Sequence, residues 1–375
     1  MPRILYLLAA CNLVIGTGAF GLSGILQPIS DTMGVSVAVA GQSMTAYAFA
    51  TALLAPVLLL LTRRWSRRAT LQLGLALFTL GTLVCALASQ LGVLMAGRVL
   101  MGAGAVFTPV AASMAVSLVA PERRGRALSL TFLGMSLSYV IGLPLTAWLG
   151  LRYGWRWPLY SVAALGLLML LLVSLLVRRD VQAPVAGFSG LGRLLGQGEV
   201  LRTLLLTLFY FSAIFTVFSY IGPVLQALIA LDNSELSLTL MLFGIAGVIG
   251  TLSGGWACDR FGAKPVLQVQ LACLACMMLL VPLTVGTYWP MVAVFMVWGV
   301  AGFGMMTPQQ ARLATAAPAQ APILLSLNAS MLYFGTALGA AVGGPASVAL
   351  GFAQLPWVGV VFAGLGALTF IKKRG

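Results

Sequence analysis

The sequence predicts an all-α integral membrane protein, with twelve transmembrane helices arranged as two pseudo-symmetric six-helix halves. Hydrophobic residues make up 61% of the 375 residues and charged residues only 7%, which is more apolar surface than a soluble globule of this length can bury. The chain divides into twelve apolar runs, each near the roughly 20 residues that cross a hydrocarbon core about 30 Å thick. Most basic residues fall in alternate gaps between these runs.

The twelve predicted spans follow one another with short connections, except at the middle of the chain. Their bounds are soft by a few residues. They lie near residues 4–28, 38–62, 69–88, 91–119, 127–150, 157–177, 202–226, 237–257, 266–284, 289–311, 321–345 and 349–371.

The basic residues predict the orientation, because short cytoplasmic loops retain Lys and Arg whereas short external loops do not. Only Arg98, Arg152 and Arg156 depart from the alternation. We therefore expect both termini to be cytoplasmic in a multi-pass protein of the bacterial inner membrane. The net charge of +14 is then topogenic, and nucleic acid is excluded as a partner because the arginines form no continuous face. The basic groups that follow the alternation are Arg3, Arg63, Arg64, Arg67, Arg68, Arg123, Arg124, Arg126, Arg178, Arg179, Arg193, Arg202, Arg260, Lys264, Arg312, Lys372, Lys373 and Arg374.

The long gap at residues 178–201 predicts a cytoplasmic linker between an N-terminal half, residues 1–177, and a C-terminal half, residues 202–375. A repeat supports this division: LLLLTRRWSRRATL after the second span and GGWACDRFGAKPVL after the eighth occupy equivalent positions. Two homologous six-span halves are typical of transporters.

Other protein classes fit the chain poorly. A membrane enzyme needs a nucleophile with a base or a metal set, yet the chain has no His and no acid pair at catalytic spacing. A channel is disfavoured because nothing in the repeat indicates a pore ring or a re-entrant filter. A receptor normally carries a soluble domain, and none is evident in the sequence. No cleavable signal peptide is evident. The five cysteines, including the pair Cys273 and Cys276, indicate helix packing, so we expect no disulfide, metal or cofactor.

Several motifs resemble those of the major facilitator superfamily. GGWACDRFGAK, residues 254–264, matches the pattern G-x-x-x-D-R-x-G-R/K-K, GRVLMGAGA contains Arg98, and GMSLSYVIGLP ends at Pro144. The whole chain resembles the twelve-span exporters that include arabinose-type sugar, purine nucleoside and chloramphenicol efflux proteins. The resemblance implies a monomeric secondary transporter that exports small neutral or amphiphilic solutes by alternating access, linked to protons. The alternative is a proton-independent facilitator, exchanger or importer of a small metabolite.

The resemblance implies a gating latch and a hinge. The latch residues are Gly255, Asp259, Arg260, Gly262 and Lys264. The equivalent loop after the second span lacks the acid and both glycines, so we expect the stronger latch in the C-terminal half. For both loops, a purely topogenic role stays open. The hinge residues are Gly134, Gly142 and Pro144, for which ordinary small-residue packing is an equal alternative.

The positions of the acids bear on the coupling ion. All seven Asp and Glu residues lie in loops or at span ends, and His is absent. In GTGAF, Ala19 occupies the position where the relatives often carry an acid. Proton transport across a membrane needs an ionisable group that can exchange its proton with the water on either side of the membrane. The remaining candidates for proton coupling are Asp31 and Asp259, each of which also has a structural interpretation.

We expect the substrate to bind between the halves, on spans that line the pathway in the proteins this chain resembles. An amide buried without a partner is costly, which favours Gln309 and Asn328 as binding groups. Arg98 could meet an anion, although capping of backbone carbonyls is equally open. For the aromatic residues, packing is the main alternative. The complete candidate set is Asn12, Thr17, Phe20, Arg98, Phe215, Phe218, Tyr220, Gln309 and Asn328.

Overall fold

The computed structural model describes residues 2–120, 123–178, 196–316 and 320–371, without the side chains of Ala321 and Pro322. Within these ranges the regular structure is entirely helical. Two compact units are present: residues 1–185 with 233–241, and residues 186–232 with 242–375. Most of the predicted linker, together with Glu122, Lys372, Lys373 and Arg374, lies outside the described residues, so the boundaries of the halves stay a prediction.

The helices follow the predicted spans closely. In chain order they are α1 (Arg3–Phe20), α2 (Leu26–Met33), α3 (Val37–Leu61), α4 (Arg67–Leu87), α5 (Leu91–Gly104), α6 (Phe107–Ser117), α7 (Arg124–Leu137), α8 (Leu143–Tyr153), α9 (Arg156–Leu176), α10 (Gly198–Phe218), α11 (Ile221–Leu228), α12 (Asn233–Phe261), α13 (Ala263–Leu280), α14 (Tyr288–Gly304), α15 (Met306–Ala316), α16 (Ala321–Leu350) and α17 (Leu355–Leu368).

The twelve-span prediction is confirmed. Among the described residues, eleven helical stretches are long and apolar enough to cross a membrane, and the twelfth is the shorter apolar stretch Phe352–Leu368. The last boundary differs from its expected place. Helix α16 continues through Pro345 to Leu350, and the chain then turns at Gly351, whose φ is 87°. Residues 349 and 350 therefore end the eleventh span instead of opening the twelfth.

Four spans are interrupted at equivalent positions of the two halves. The first span ends its α-helix at Phe20 and continues as the 3₁₀ turn Gly21–Gly24. The fourth breaks between α5 and α6, the seventh between α10 and α11, and the tenth between α14 and α15. Interrupted helices inside a membrane are tolerated where the freed backbone groups are buried in protein or line a cavity. The fifth span is also interrupted, by the π turn Ser138–Gly142, and the ninth ends in the 3₁₀ turn Val281–Thr284.

The same pair of helices packs closely in each half. Helix α1 lies against α7 in the first unit, and α10 lies against α16 in the second. A Cβ atom on Gly134 of α7 would collide with the carbonyl oxygen of Ala9. On α16, Gly335, Gly339 and Gly343 recur every four residues and face the carbonyls of Leu208, Ser212 and Thr216. Glycine on one face lets two backbones approach in membrane helix pairs.

The two repeated loops end their helices differently. Ser66 precedes α4, and its hydroxyl oxygen accepts a hydrogen bond from the amide of Ala69 at 3.2 Å. The equivalent residue, Gly262, joins α12 to α13 with a φ of 82°, and its amide donates to the carbonyl of Cys258 at 2.9 Å. Both residues precede a helix, but only Ser66 supplies a side-chain cap. Gly262 combines its positive φ with a ψ of 157°, a backbone conformation that is essentially restricted to glycine.

Candidate functional site

Arg98 is the only described arginine that is completely buried. Its Nε donates to the carbonyl of Ser43 at 3.0 Å. Nη1 donates to the carbonyl of Gly18 at 3.1 Å, and Nη2 donates to that of Ala19 at 2.8 Å. The guanidinium carbon also lies 4.6 Å from the centre of the Tyr47 ring. One side chain on α5 thereby joins α1 to α3.

The partners of Arg98 explain how a cation can be buried without a carboxylate. Gly18 and Ala19 belong to the last turn of α1, where carbonyl groups lack helical partners and carry the negative end of the helix dipole. The Tyr47 ring adds the negative face of an aromatic quadrupole. No described carboxylate pairs with Arg98, so backbone and ring together supply its stabilisation. The structure therefore places Arg98 in the carbonyl-capping arrangement, with each guanidinium nitrogen already donating.

The three candidates on α1 are all engaged with other side chains or backbone. The amide nitrogen of Asn12 donates to the carbonyl of Thr131 at 3.0 Å, and its oxygen accepts from the Thr108 hydroxyl at 3.1 Å. Thr17 donates to the carbonyl of Leu13 in its own helix. Phe20 stacks on Tyr139, with ring centres 5.1 Å apart. Asn12 thus holds α1, α6 and α7 together.

In the second unit, the structure brings Gln309 and Asn328 together around Thr207. The Thr207 hydroxyl donates to Oδ1 of Asn328 at 2.5 Å. Nε2 of Gln309 donates to the Thr207 hydroxyl oxygen at 2.7 Å and to the carbonyl of Thr203 at 2.5 Å. Gln309 and Thr207 are completely buried, and Asn328 is 3% exposed. We call Thr207, Gln309 and Asn328 the amide cluster; it joins α10, α15 and α16.

The amide cluster has one acceptor left over. Oε1 of Gln309 is shielded from solvent and accepts no hydrogen bond from the described part of the chain. A buried carbonyl oxygen without a donor costs about 1–3 kcal/mol. Such an acceptor can take a hydrogen bond from a ligand that supplies a hydroxyl or amino donor. Gln309 is therefore a candidate binding residue for two reasons: its place in the tenth span and the acceptor at Oε1.

The aromatic candidates lie inside a continuous ring cluster of the second unit. Phe215 and Phe218 are at most 1% exposed, and their ring centres are 5.3 Å apart. Phe218 also stacks on Phe243 at 5.8 Å, and Phe243 lies 4.9 Å from Trp298. The Tyr220 hydroxyl donates to the carbonyl of Ala340 at 2.9 Å. These contacts are those of a packed core, and a role in binding stays a prediction.

The fifth span departs from α-helical geometry at the predicted hinge. A π-helical turn, Ser138–Gly142, separates α7 from α8, and Pro144 is in the first turn of α8. Pro144 has no amide hydrogen, so the carbonyl one turn before it has no α-helical donor and the backbone can widen there. Close packing is present too, since a Cβ on Gly142 would collide with Thr17. The predicted hinge and its packing alternative thus occupy the same residues.

The predicted latch residues surround the junction of α12 and α13. Asp259, Arg260 and Lys264 are exposed, and Arg260 lies 5.7 Å from the centre of the Phe261 ring. Asp259 forms no hydrogen bond or ion pair with the described residues, and no side chain caps α13. Gly255 has room for a larger residue, with Thr307 at ordinary contact distance. The acid is free to meet a partner in this structure.

Asp31, the other candidate for proton coupling, is exposed on the short helix α2. It accepts a hydrogen bond from the side chain of Gln27 at 2.8 Å. The spacing of four residues places both groups on one helix face. The structure therefore gives Asp31 a local structural role and leaves it open to solvent.

Sequence reasoning missed Thr207, although a signal was available. Buried amides such as Gln309 and Asn328 need partners on a facing helix. The seventh span offers Thr203 and Thr207 one turn apart, and Phe211 follows after one more turn. Residues at this spacing share a helix face, so a donor on the seventh span could have been predicted.

Comparisons with known proteins agree with this architecture. A model of the Major Facilitator Superfamily matches residues 8–340. An uncharacterized MFS-type transporter of Bacillus subtilis, YbcL, is 30% identical over 359 residues, which are 95% of this chain and 92% of that protein. The inner membrane transport protein YdhP of Escherichia coli K12 is 32% identical over 373 residues, covering 96% of this chain and 93% of that protein.

Solved structures of other transporters share the fold. A bacterial homologue of the human lysosomal transporter Spinster, in an inward-facing and occupied conformation, superposes with a TM-score of 0.80 at 19% identity. That match covers 98% of this chain and 95% of the other. A D-xylose–proton symporter superposes with a TM-score of 0.81 at 16% identity, covering 97% and 96%. At these identities the likeness concerns the fold alone.

Proposed function

The chain belongs to the major facilitator superfamily, which makes it a multi-pass secondary transporter and not an enzyme, and we propose that it exports small neutral or amphiphilic solutes. The transport step is alternating access, in which the binding site opens to one side of the bilayer at a time. The solutes are of the drug, sugar or nucleoside type. The membrane is the bacterial inner membrane, in keeping with the name of the relative YdhP.

The amide cluster is the observation that carries this proposal. It is buried, neutral and polar, and Oε1 of Gln309 accepts no hydrogen bond from the described residues. A neutral acceptor favours a solute with a hydroxyl or amino donor over a cation, since no carboxylate belongs to the cluster. The nearby rings of Phe211 and Phe215 add an apolar surface that suits a planar or amphiphilic body.

The interrupted spans support the same location. Transporter sites near the bilayer midplane are typically formed by discontinuous helices, whose broken turns expose backbone groups and allow bending. Here the interrupted spans include the first, fourth, seventh and tenth. Gln309 follows the break of the tenth span, between Gly304 and Met306, and Asn328 lies on α16 beside it.

The proposed moving parts are the latch and the hinge. Asp259, with Gly255, Arg260, Gly262 and Lys264, forms contacts in one access state that are released in the other. The π turn before Pro144, with Gly134 and Gly142, lets the fifth span bend. We further propose that both termini are cytoplasmic and that one chain is the transport unit. The exposure of Asp259 supports the latch, and the π turn supports the hinge.

Coupling to protons is the finer part of the proposal. Asp31 and Asp259 are the candidate carriers, and both are exposed. A proton-independent facilitator, exchanger or importer is the second candidate function. The observation that favours it is that no carboxylate of the described residues lies near Arg98, at the place where a buried acid would be stabilised by the cation.

The experiment is solute-dependent proton movement in proteoliposomes that contain a pH-sensitive dye. Nucleosides, sugars and phenicols are screened one at a time, and empty liposomes serve as the control. A pH change that depends on one class of solute supports proton-linked export and names the substrate class. Counterflow of a radiolabelled solute without a pH change establishes the proton-independent alternative. If no class moves in either assay, a substrate of the nucleoside, sugar or phenicol type is excluded.

A further inference from the structure

A groove between α13 and α17 opens on the outside of the second unit. Its volume is about 460 Å³, and its walls are apolar, with Leu271, Val360, Phe370 and Ile371 among the lining residues and Gln268 as the main polar one. Gly364 contributes open space, since nothing lies within 4 Å of where its Cβ would be. In a membrane-embedded protein such a surface groove faces lipid.

The length of the groove is most of the depth of one leaflet. On α17 its lining runs from Val360 to Ala367, which is roughly 10 Å at a rise of 1.5 Å per residue, and Phe370 and Ile371 extend it beyond the end of the helix. Half of a hydrocarbon core about 30 Å thick is roughly 15 Å. Most of an acyl chain of one leaflet therefore fits along the groove.

One end of the groove is cationic. The guanidinium carbon of Arg312 lies 5.3 Å from the centre of the Phe370 ring, and Nη1 of Arg202 donates to the carbonyl of Ile371 at 3.2 Å. Lys264 is exposed one helical turn before Gln268 and on the same face of α13. Glu199 is the one acid that attracts Arg312. Three cations against one anion leave this end positive.

Arg312 also retains an unused donor. Its Nη1 is shielded from solvent and donates to no atom of the described residues. A buried guanidinium donor without an acceptor is unfavourable, and phosphate oxygens are the acceptors that arginine binds best. The same end of the groove thus has positive charge, a free donor and an apolar channel leading away from it.

We propose that the groove between α13 and α17 is a binding site for one anionic phospholipid. An acyl chain lies along Leu271 and Gly364, and the headgroup phosphate lies at Arg312 and Arg202. The cationic end and the apolar groove together favour a lipid over a soluble phosphate compound, because a soluble phosphate would leave the apolar groove empty. It also disfavours a zwitterionic lipid, whose headgroup carries its own cation toward the arginines.

The test is native mass spectrometry of the purified, delipidated full chain in detergent, with dioleoylphosphatidylglycerol or dioleoylphosphatidylcholine added. We expect the wild type to bind phosphatidylglycerol about fivefold more tightly, the difference that one basic residue near a charged headgroup provides. Arg312→Gln removes most of that preference and leaves phosphatidylcholine binding unchanged. Gly364→Leu fills the channel and weakens the binding of both lipids.

Matched controls separate this site from general effects. Arg63→Gln with Arg64→Gln removes two exposed loop arginines, and Gly125→Leu adds a side chain at another open glycine; both leave lipid binding unchanged. The proposal is overturned if the wild type binds the two lipids equally. It is also overturned if the loop control acts like Arg312→Gln, or if glycerol 3-phosphate alone binds as tightly as phosphatidylglycerol.

Discussion

The two halves of the molecule bury their polar groups in opposite ways. In the N-terminal unit a charged side chain, Arg98, donates to three backbone carbonyls and leaves no guanidinium nitrogen idle. In the C-terminal unit a neutral side chain, Gln309, donates twice through Nε2 and keeps a free acceptor at Oε1. Every guanidinium nitrogen of Arg98 has an acceptor, which indicates a structural role. Oε1 of Gln309 accepts no hydrogen bond from the described residues, which supports the proposal that Gln309 binds a solute.

The loops after α3 and α12 show the same contrast. Ser66 caps α4 with its side chain in the N-terminal unit. In the C-terminal unit Asp259 has no hydrogen-bonded partner among the described residues, and Gly262 offers no side chain. Groups that already have partners stabilise one structure, and groups without partners can take part in a change. The difference predicts that substitutions of polar groups without partners affect transport, and that substitutions of polar groups with partners affect stability.

Arg98→Ala should have the largest effect, and the effect should be on stability. Three buried carbonyls lose their donor, which at about 1–3 kcal/mol each amounts to a loss of about 4 kcal/mol in the free energy of unfolding. The measurement is thermal unfolding in detergent, together with the amount of protein in the membrane. A variant that folds normally but no longer transports would instead assign Arg98 to the solute.

Gln309→Met should impair transport, and it should also lower stability, because the Thr203 carbonyl and the Thr207 hydroxyl oxygen lose the donor Nε2. Methionine keeps the length and loses the amide, so the solute loses one hydrogen bond worth about 1.4 kcal/mol, which is tenfold in affinity. Counterflow at several solute concentrations measures the change. Gln310→Met is the matched control, since Gln310 is the exposed neighbour, and it should leave transport unchanged. Equal effects of both substitutions would contradict a special role for Gln309.

Asp259→Asn should slow transport about threefold, the scale of a lost charge interaction at a helix terminus. Arg63→Gln, at the equivalent position of the other half, should change the rate less. Initial rates at saturating solute, normalised to protein in the membrane, compare the two. A larger effect of the Arg63 substitution would place the stronger latch in the N-terminal half.

Ser66→Ala should give the smallest change, a loss of about 0.5 kcal/mol in stability through the missing helix cap. Transport per folded molecule should stay constant. Thermal unfolding and initial rates of the same preparation check both statements. A reduced rate with unchanged stability would show that this loop also gates transport.

The sequence was sufficient for the spans and insufficient for their interruptions. Hydropathy counts apolar residues, so it located twelve spans, but it does not report where backbone hydrogen bonding fails. The 3₁₀ turn at Gly21–Gly24 and the π turn at Ser138–Gly142 depend on packing against neighbouring helices. Pro345 illustrates the limit, since α16 continues through it although proline often ends a helix.

The candidate site was predictable in its residues more than in its roles. Gln309 and Asn328 were found because buried amides demand partners, and the structure places both around Thr207. The role of Arg98 depended on carbonyls of Gly18 and Ser43, far away in sequence. Backbone acceptors are present in every residue, so no pattern of side chains could indicate which of them Arg98 would meet.

The most direct test of the contrast between the two halves is solute-induced thermal stabilisation of purified wild type, Gln309→Met and Arg98→Lys. The solute is the one identified by the proteoliposome screen. We predict that it raises the unfolding temperature of the wild type and of Arg98→Lys, whose starting temperature is lower, but not that of Gln309→Met. Stabilisation of Gln309→Met equal to that of the wild type, with none for Arg98→Lys, would contradict the account.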